Sequence, residues 1–498
     1  MRLIQSVPAV LIALALAARP AMAQDAAECS VDTYRPTQLA QAGITIGRAA
    51  AAATPEDATR ALRDAMNFLK DEKKIASNPV GVGFLKAQIY ILWLHQDSGG
   101  DVLTNERLNA PGPKSGTVDL VVAADSLLKQ VEAQGPACVA ATAQWRQSKP
   151  WTDRLNKAYQ FLSAEAVDSA EFYVKRAALL SANSPYVHNA LAQIADKRGD
   201  KTGLLSHLKV AIALARGDTS MTETRRQMEF QYATTLHQYA LGAGAADKDA
   251  LLKESVDVFM GLLQENPSAS EAPYAFSAAS EIVALQQDTA RSRQMLEMVA
   301  ADASKYNDLT LLIAADRSRL LQRDDDAVTF YAAALAQNPN IRDANYFLAF
   351  MYYEKKDAAK MAPLTAKLVE IDPSNPDNYL LQAEGIKLLA LAEKDAAKKA
   401  ALIKQAEVAA RIEATMPHKL LVTQFERRAE GALLRGNVEN RGKTAKAYTV
   451  AMDFLDVTGA VVESVTFEVP AVKPAATGEF SIEATKPGIV AYRYSPLK

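Results

Sequence analysis

The sequence is poor in the residues on which many catalytic and metal centres depend. It has two cysteines and five histidines among 498 residues, and no two histidines have the i, i+4 spacing of a helical zinc motif. The cysteines form no C-x-x-C redox or zinc motif. Phosphate-loop, nucleophile-elbow and dinucleotide-binding glycine motifs are also missing. We therefore predict that the protein is not an enzyme and holds no metal and no cofactor.

An excess of one charge and long apolar stretches are also lacking. The chain has 56 lysines and arginines against 58 aspartates and glutamates, for a formal net charge of −2. A nucleic-acid-binding protein normally shows a basic excess, so we predict no nucleic-acid partner. Beyond the N-terminal segment, no stretch reaches the roughly 18 uncharged apolar residues of a membrane helix. We predict no membrane span in the mature chain.

The first 23 residues have the pattern of a secretory signal peptide. Arg2 precedes an apolar run from Val7 to Ala18, and Ala21-Met22-Ala23 forms an A-x-A cleavage site. An uncut N-terminal anchor is the alternative, although the apolar run is short for a membrane span. We predict cleavage after Ala23 and secretion across the inner membrane of a bacterium. The mature protein is then periplasmic or envelope-associated.

Export would place both cysteines in an oxidising compartment, where Cys29 and Cys138 can pair. Two is the smallest number that can form a bridge. Such a bridge would tie the N-terminal arm to the helices near residue 138. The alternative is two unpaired cysteines. We predict a disulfide with a structural role.

A helical repeat is clearest between Ala327 and Tyr379. Pro339 and Pro373 stand 34 residues apart, and each ends a helix because proline lacks the N–H and clashes with the preceding turn. Small residues such as Ala349 allow two helices to approach closely, and aromatic residues fill the space between them. This order of small, aromatic and proline residues resembles the tetratricopeptide (TPR) repeat, a 34-residue helix hairpin.

The resemblance implies that most of the chain is an α-solenoid of helix hairpins. We assign the TPR-like repeats to residues 161–418. Residues 24–160 are helical but irregular, and we predict that they form the N-terminal cap of the solenoid.

The composition changes after Met416-Pro417. Glycines at turn-like intervals separate short β-rich runs, and Ala447–Phe454 alternates apolar and other residues as a half-buried strand does. We predict about six strands in a small sandwich over residues 419–498. Phe454-Leu455-Asp456 and its surroundings resemble the FxLYD-like, immunoglobulin-like domains at the end of bacterial envelope proteins. The predicted fold class is multidomain α + β, an α-solenoid of TPR-like hairpins followed by an all-β, immunoglobulin-like sandwich.

The resemblance to TPR proteins also implies where a partner binds. The first helix of each pair builds the concave face, which in the best-matching repeat carries Asp343, Tyr346, Phe350, Tyr353 and Glu354. The three rings follow at +4 and +3, so they form one stripe along the helix. Exposed rings on a rigid scaffold suit an extended peptide or a partner helix. The alternative is that the rings pack against a neighbouring repeat or the β-domain.

These features predict an exported scaffold or adaptor that binds a partner protein or peptide on the concave face. An envelope hydrolase or a carbohydrate-binding protein, with the β-domain as its ligand module, is the alternative. That function would need converging acids or aromatics in the sandwich, where we considered the acids Asp453, Asp456 and Glu463. The partner-binding interpretation is preferred because these three acids form no recognisable motif.

Overall fold

This computed structural model describes residues 29, 31–96, 100–242 and 244–497, so the predicted signal peptide at residues 1–23 lies outside the described residues. The chain divides into two compact units, the first reaching Leu251 and the second beginning at Leu252. The regular structure described in the first unit is helical apart from one small hairpin, whereas the second unit combines helices with the C-terminal strands. Within the described ranges, no helix is both long and apolar enough to cross a membrane.

The first unit contains a two-stranded hairpin and a series of helices that pack largely on their neighbours in the chain. Its elements are α1 (Thr37–Ala50), α2 (Pro55–Phe68), α3 (Glu72–Ile75), α4 (Pro79–Leu94), β1 (Val102–Thr104), α5 (Asn105–Leu108), β2 (Thr117–Asp119), α6 (Leu120–Glu132), α7 (Pro136–Arg146), α8 (Lys149–Ser163), α9 (Val167–Leu180), α10 (Pro185–Lys197), α11 (Lys201–Ala215) and α12 (Thr222–Ala240). The next helix, α13 (Ala245–Glu265), contains the division between the units.

The second unit contains further helix hairpins and the strands. Its helices are α14 (Ala272–Leu285), α15 (Thr289–Ala301), α16 (Asp308–Leu320), α17 (Asp324–Gln337), α18 (Arg342–Glu354), α19 (Ala358–Ile371), α20 (Pro376–Ala392) and α21 (Ala396–Thr415). Its strands are β3 (His418–Arg428), β4 (Gly431–Asn440), β5 (Lys446–Leu455), β6 (Val461–Val472), β7 (Thr477–Ala484) and β8 (Ala491–Tyr494).

Local sequence signals start several helices. The Thr54 hydroxyl accepts a hydrogen bond from the Asp57 N–H at 3.2 Å, and Pro55 occupies the first turn of α2, where its missing N–H is not needed. The Asn78 side chain likewise accepts from the Gly81 N–H at 2.9 Å at the start of α4. These caps satisfy N–H groups that have no partner within their own helix.

The repeat in the second unit keeps the predicted spacing of 34 residues. The first helices α16, α18 and α20 begin at Asp308, Arg342 and Pro376, and each packs as a hairpin with the helix that follows it. Gln322 and Lys356 occupy the two equivalent turns with φ of 57° and 56°, a left-handed conformation that reverses the chain after a helix. The helices are therefore TPR-like hairpins, as predicted.

The small hairpin of β1 and β2 in the first unit was not predicted from the sequence. Asp101, next to β1, forms salt bridges with both Arg154 and Arg176. Asp119, at the end of β2, accepts from Arg176 at 2.7 and 3.0 Å. These largely buried charges attach the hairpin to α8 and α9. The contacts join residues more than 50 positions apart, which explains why no local pattern indicated them.

The six C-terminal strands form two antiparallel sheets, with strand orders β3-β4-β7 and β6-β5-β8. The alternation predicted for Ala447–Phe454 is confirmed in β5, since its apolar residues at every second position are buried in the core between the sheets; they are Tyr448, Val450, Met452 and Phe454. Pro470 lies within β6, where it is tolerated because β6, in the described part of the chain, pairs with β5 alone and forms a sheet edge. The predicted solenoid followed by a β-sandwich is thus confirmed, while the assignment to the FxLYD-like family stays a prediction.

Candidate functional site

Helices α16, α18 and α20 carry the predicted binding residues and their equivalents. Because these helices begin 34 residues apart, residues separated by 34 occupy the same position in successive hairpins. We define the first-helix face as the positions of the five predicted residues on α18 together with their equivalents on α16 and α20. Its members are Leu309, Leu312, Asp316, Arg319, Leu320, Asp343, Tyr346, Phe350, Tyr353, Glu354, Asp377, Leu380, Glu384, Lys387 and Leu388.

The three predicted rings lie along α18 with different exposures. Phe350 is 42% exposed, and its ring centroid lies 6.5 Å from that of Tyr353. Tyr346 is partly buried, because the Arg342 guanidinium lies over its ring at 4.9 Å and Phe347 packs against it edge-to-face at 5.5 Å. None of the three rings is fully buried, and Phe350 is the most accessible.

A fourth ring, that of Phe347, was not among the predicted binding residues and holds α18 against its neighbours. Phe347 stacks on Tyr331 of α17 with ring centroids 6.1 Å apart. Arg319 of α16 lies over the Phe347 ring at 4.3 Å, a distance suited to a cation–π interaction. Phe347 therefore fixes the position of α18, so that the adjacent stripe is presented on an ordered helix.

Carboxylates surround the ring stripe. Asp343 is exposed and accepts from Arg342 at 3.0 Å, and Glu354 is exposed at the other end of α18. Asp316, at the position equivalent to Phe350, accepts from the Tyr331 hydroxyl at 2.5 Å. Burial raises the pKa of Asp316, and the negative charge of Asp343 contributes in the same direction. The first-helix face thus combines an aromatic centre with an acidic surrounding.

The sandwich contacts the N-terminal ends of the same helices. Arg427 of β3 donates to both carboxylate oxygens of Asp308, at 2.8 and 2.9 Å, a bidentate and largely buried pair. Lys419 of β3 pairs with Asp377 at 2.7 Å. The β3 strand therefore joins the first turns of α16 and α20.

A buried carboxylate, Asp372, is the centre of a second group of contacts between strands and helices. It accepts from the Tyr494 hydroxyl of β8, and from Arg342 Nε at 3.0 Å. Asn375 and Asn378 donate to the same carboxylate at 3.1 and 2.9 Å. The Asp372 charge is therefore well satisfied, which a buried carboxylate requires. Sequence reasoning missed this group because Tyr494 lies 122 residues from Asp372.

The structure joins the predicted cysteine pair. A disulfide links Cys29 and Cys138, whose Cα atoms are 4.6 Å apart. It closes a segment of 109 residues and ties the N-terminal arm to α7. Its position is remote in sequence from the first-helix face, and no titratable thiol remains in the pair.

The three acids considered for a ligand module in the sandwich have structural partners. Asp453 accepts from the Ser464 hydroxyl at 2.6 Å. Asp456 accepts from backbone N–H groups of its own turn, and Glu463 accepts from two consecutive backbone N–H groups at 2.8 and 3.1 Å. The three carboxylates therefore stabilise turns and strand pairs.

Neither a protein-family model nor a curated protein matches the chain. Solved repeat structures do match. A tetratricopeptide repeat protein from Parabacteroides merdae is 14% identical, with 52% of this chain and 98% of that chain covered and a TM-score of 0.27. The Cut9-Hcn1 hetero-tetramer of the APC/C is 11% identical, with 66% of this chain and 72% of that chain covered and a TM-score of 0.25. A human IFIT1 dimer with m7Gppp-AAAA is 12% identical, with 76% of this chain and 91% of that chain covered and a TM-score of 0.28. These low scores identify no activity or partner.

Proposed function

We propose that this protein is an interaction scaffold that binds an extended segment of a partner protein on the first-helix face. The observation that carries this proposal is the accessible Phe350 ring, 42% exposed, on a helix whose neighbouring ring Phe347 is locked by Tyr331 and Arg319. A rigid aromatic residue with free surface is the usual anchor of a protein interface, because it buries much apolar area at little entropic cost.

The charges of the face define the chemistry of the partner. Its acidic members outnumber its basic members by five to two, the seven being Asp316, Asp343, Glu354, Asp377, Glu384, Arg319 and Lys387. Three of these acids already have basic partners, since Asp343 pairs with Arg342, Asp377 with Lys419 and Glu384 with Lys387, so the exposed Glu354 is the acid we expect to meet a basic partner residue. Leu320 and Leu380, on the flanking helices, are strongly exposed and extend the apolar surface beyond Phe350. A segment with apolar side chains next to lysine or arginine complements this surface.

The sandwich would support this site. Arg427 and Lys419 tie β3 to the first turns of α16 and α20, and Asp372 links β8 to the start of α18 through Arg342. Contacts that fix the helices before binding reduce the ordering cost of association. In this proposal the β-domain holds the helices of the binding face in place.

We also propose that the protein acts after export, in the bacterial envelope. The disulfide between Cys29 and Cys138 supports this location, since disulfides persist mainly in oxidising compartments. The N-terminal sequence pattern of a cleavable signal peptide points in the same direction.

Co-purification from cells that produce the full chain with its N-terminal segment tests the proposal. Phe350→Ala combined with Tyr353→Ala removes the accessible rings and leaves Phe347 in place. The matched control is Val408→Ala combined with Ile412→Ala on α21, because these apolar side chains are 52% and 38% exposed on a second helix. Each protein is first checked by circular dichroism for unchanged helix content.

We expect a specific partner to be lost from the ring variant and kept by the control. With the purified partner, loss of a hot-spot ring costs about 2 kcal/mol or more, which is roughly a 30-fold rise in Kd. Glu354→Lys should weaken binding of a basic segment further. An identical partner set and equal affinities for the folded ring variant would show that the first-helix face is not the binding site.

A further inference from the structure

Two histidines that are distant in sequence meet within one hairpin of the first unit. His188 lies in the first turn of α10 and His207 in the middle of α11. Their Nδ1 atoms are 3.3 Å apart, and the rings are inclined by 40° with centroids 5.5 Å apart. Both side chains are partly exposed. Neither belongs to the first-helix face.

The separation of these nitrogens fits a particular coordination geometry. Two ligands of a tetrahedral zinc ion, each about 2.05 Å from the metal, are about 3.3 Å apart. Adjacent ligands at 90°, as in square-planar or octahedral sites, would be only about 2.9 Å apart at the same bond length. We propose that His188 and His207 form a Zn²⁺ site through their Nδ1 atoms.

A carboxylate lies close to the pair. Asp200 caps α11 by accepting from the Gly203 N–H at 2.9 Å, and its negative charge acts on His207. This charge would favour a bound cation.

The site is open on the solvent side. Within the described residues, no group of three or more histidine, cysteine, aspartate or glutamate side chains is arranged around a metal position. Two water molecules would therefore complete the tetrahedron, one more than in the open zinc sites that have three protein ligands. Without metal, one Nδ1–H donates to the other Nδ1. Zinc binding then requires that donor to move its proton to Nε2, so that both Nδ1 lone pairs face the ion.

Calorimetric titration of the untagged, metal-free full chain with ZnCl2 at pH 7.5 tests the site. His188→Gln and His207→Gln each remove one ligand, and His237→Gln, on α12, is the matched control outside the pair. We expect one Zn²⁺ per chain for the wild type and the control. Loss of a residue that only hydrogen-bonds to a metal ligand lowers metal affinity by about 10-fold to 100-fold. Loss of either ligand itself should therefore raise the Kd for zinc by at least about tenfold.

X-ray absorption of the zinc-loaded wild type provides a readout that needs no substitution. We expect two imidazoles in a four-coordinate shell. Fewer than two imidazoles, no zinc binding by the wild type, or the same affinity in both folded ligand variants would overturn the proposal. The histidines would then form only a hydrogen-bonded pair.

Discussion

The buried Tyr494 hydroxyl should be one of the most important single groups for the stability of the second unit. It donates to Asp372, and it accepts from the Ser374 backbone N–H at 3.3 Å. Burial raises the pKa of Tyr494 well above its usual value, and the negative charge of Asp372 contributes in the same direction. The phenol therefore stays protonated and acts as a donor at any working pH.

Tyr494→Phe removes this hydroxyl without changing the shape of the ring. A hydrogen bond to a charged group contributes about 1.5–3 kcal/mol, and the Asp372 carboxylate keeps its contacts with Arg342, Asn375 and Asn378. We expect a loss of about 2–3 kcal/mol in the free energy of unfolding of the second unit. Asp372→Ala should cost more, about 3–5 kcal/mol, because it leaves the largely buried Arg342 without its main partner.

The distribution of tryptophan determines the assay. The three tryptophans, Trp93, Trp145 and Trp151, all precede Leu252, so their fluorescence reports on the first unit. Hydrogen exchange of β8 and of the turn at residues 372–378 reports directly on the second unit. Urea unfolding followed by this exchange gives the stability difference between variant and wild type.

Tyr448→Phe provides the matched control. Tyr448 is also buried in the sandwich, but its hydroxyl forms no hydrogen bond with the described part of the chain, so we expect a change below about 0.5 kcal/mol. A double-mutant cycle of Tyr494→Phe with Asp372→Ala should show a coupling energy of about 1–3 kcal/mol. Equal exchange rates in Tyr494→Phe and wild type would refute the assignment of stability to this contact.

Three further predictions concern other parts of the molecule. Reduction of the disulfide between Cys29 and Cys138, which closes 109 residues, should destabilise the first unit by up to about 4.7 kcal/mol in the chain-entropy description. Tryptophan-monitored unfolding with and without reductant measures this loss, and an unchanged unfolding midpoint would argue against it. Asp101→Ala should lower the free energy of unfolding by about 3–5 kcal/mol, because Arg154 and Arg176 stay largely buried without this partner. Glu106→Ala breaks an exposed pair with Lys114 and should cost less than about 0.5 kcal/mol. Lowering the pH from 7.5 to 5.5 should reduce the free energy of unfolding, because the unfolded chain then binds more protons than the folded one. The reason is that burial lowers the pKa of four histidines, His95, His188, His207 and His418. His418→Gln should weaken this pH dependence in urea unfolding, and an identical dependence would contradict the assignment.

Much of the fold could be predicted because its signals are local. Proline and small residues recurring every 34 positions specify the helix hairpins, since each acts on the turn or contact in which it stands. The alternation of Tyr448, Val450 and Met452 likewise specifies a strand with one buried face. The β1–β2 hairpin of the first unit was missed because its three-residue strands are held by salt bridges to distant arginines.

The candidate binding site was predictable only in part. The stripe of Tyr346, Phe350 and Tyr353 follows from helical periodicity, which depends on the sequence alone. Periodicity does not tell which ring is accessible. Phe347 and Phe350 differ in exposure because Arg319 and Tyr331, on two other helices, cover the first ring and not the second.

The sequence by itself determined the repeating helices, the change to strands after residue 417 and the residue types available for binding. Only the tertiary structure decided which of them meet. His188 reaches His207 because a hairpin folds two helices together, and Asp372 reaches Tyr494 across 122 residues. Such contacts depend on chain reversals and on the packing of elements that are far apart in sequence. The local propensities that specify helices and strands therefore do not predict them.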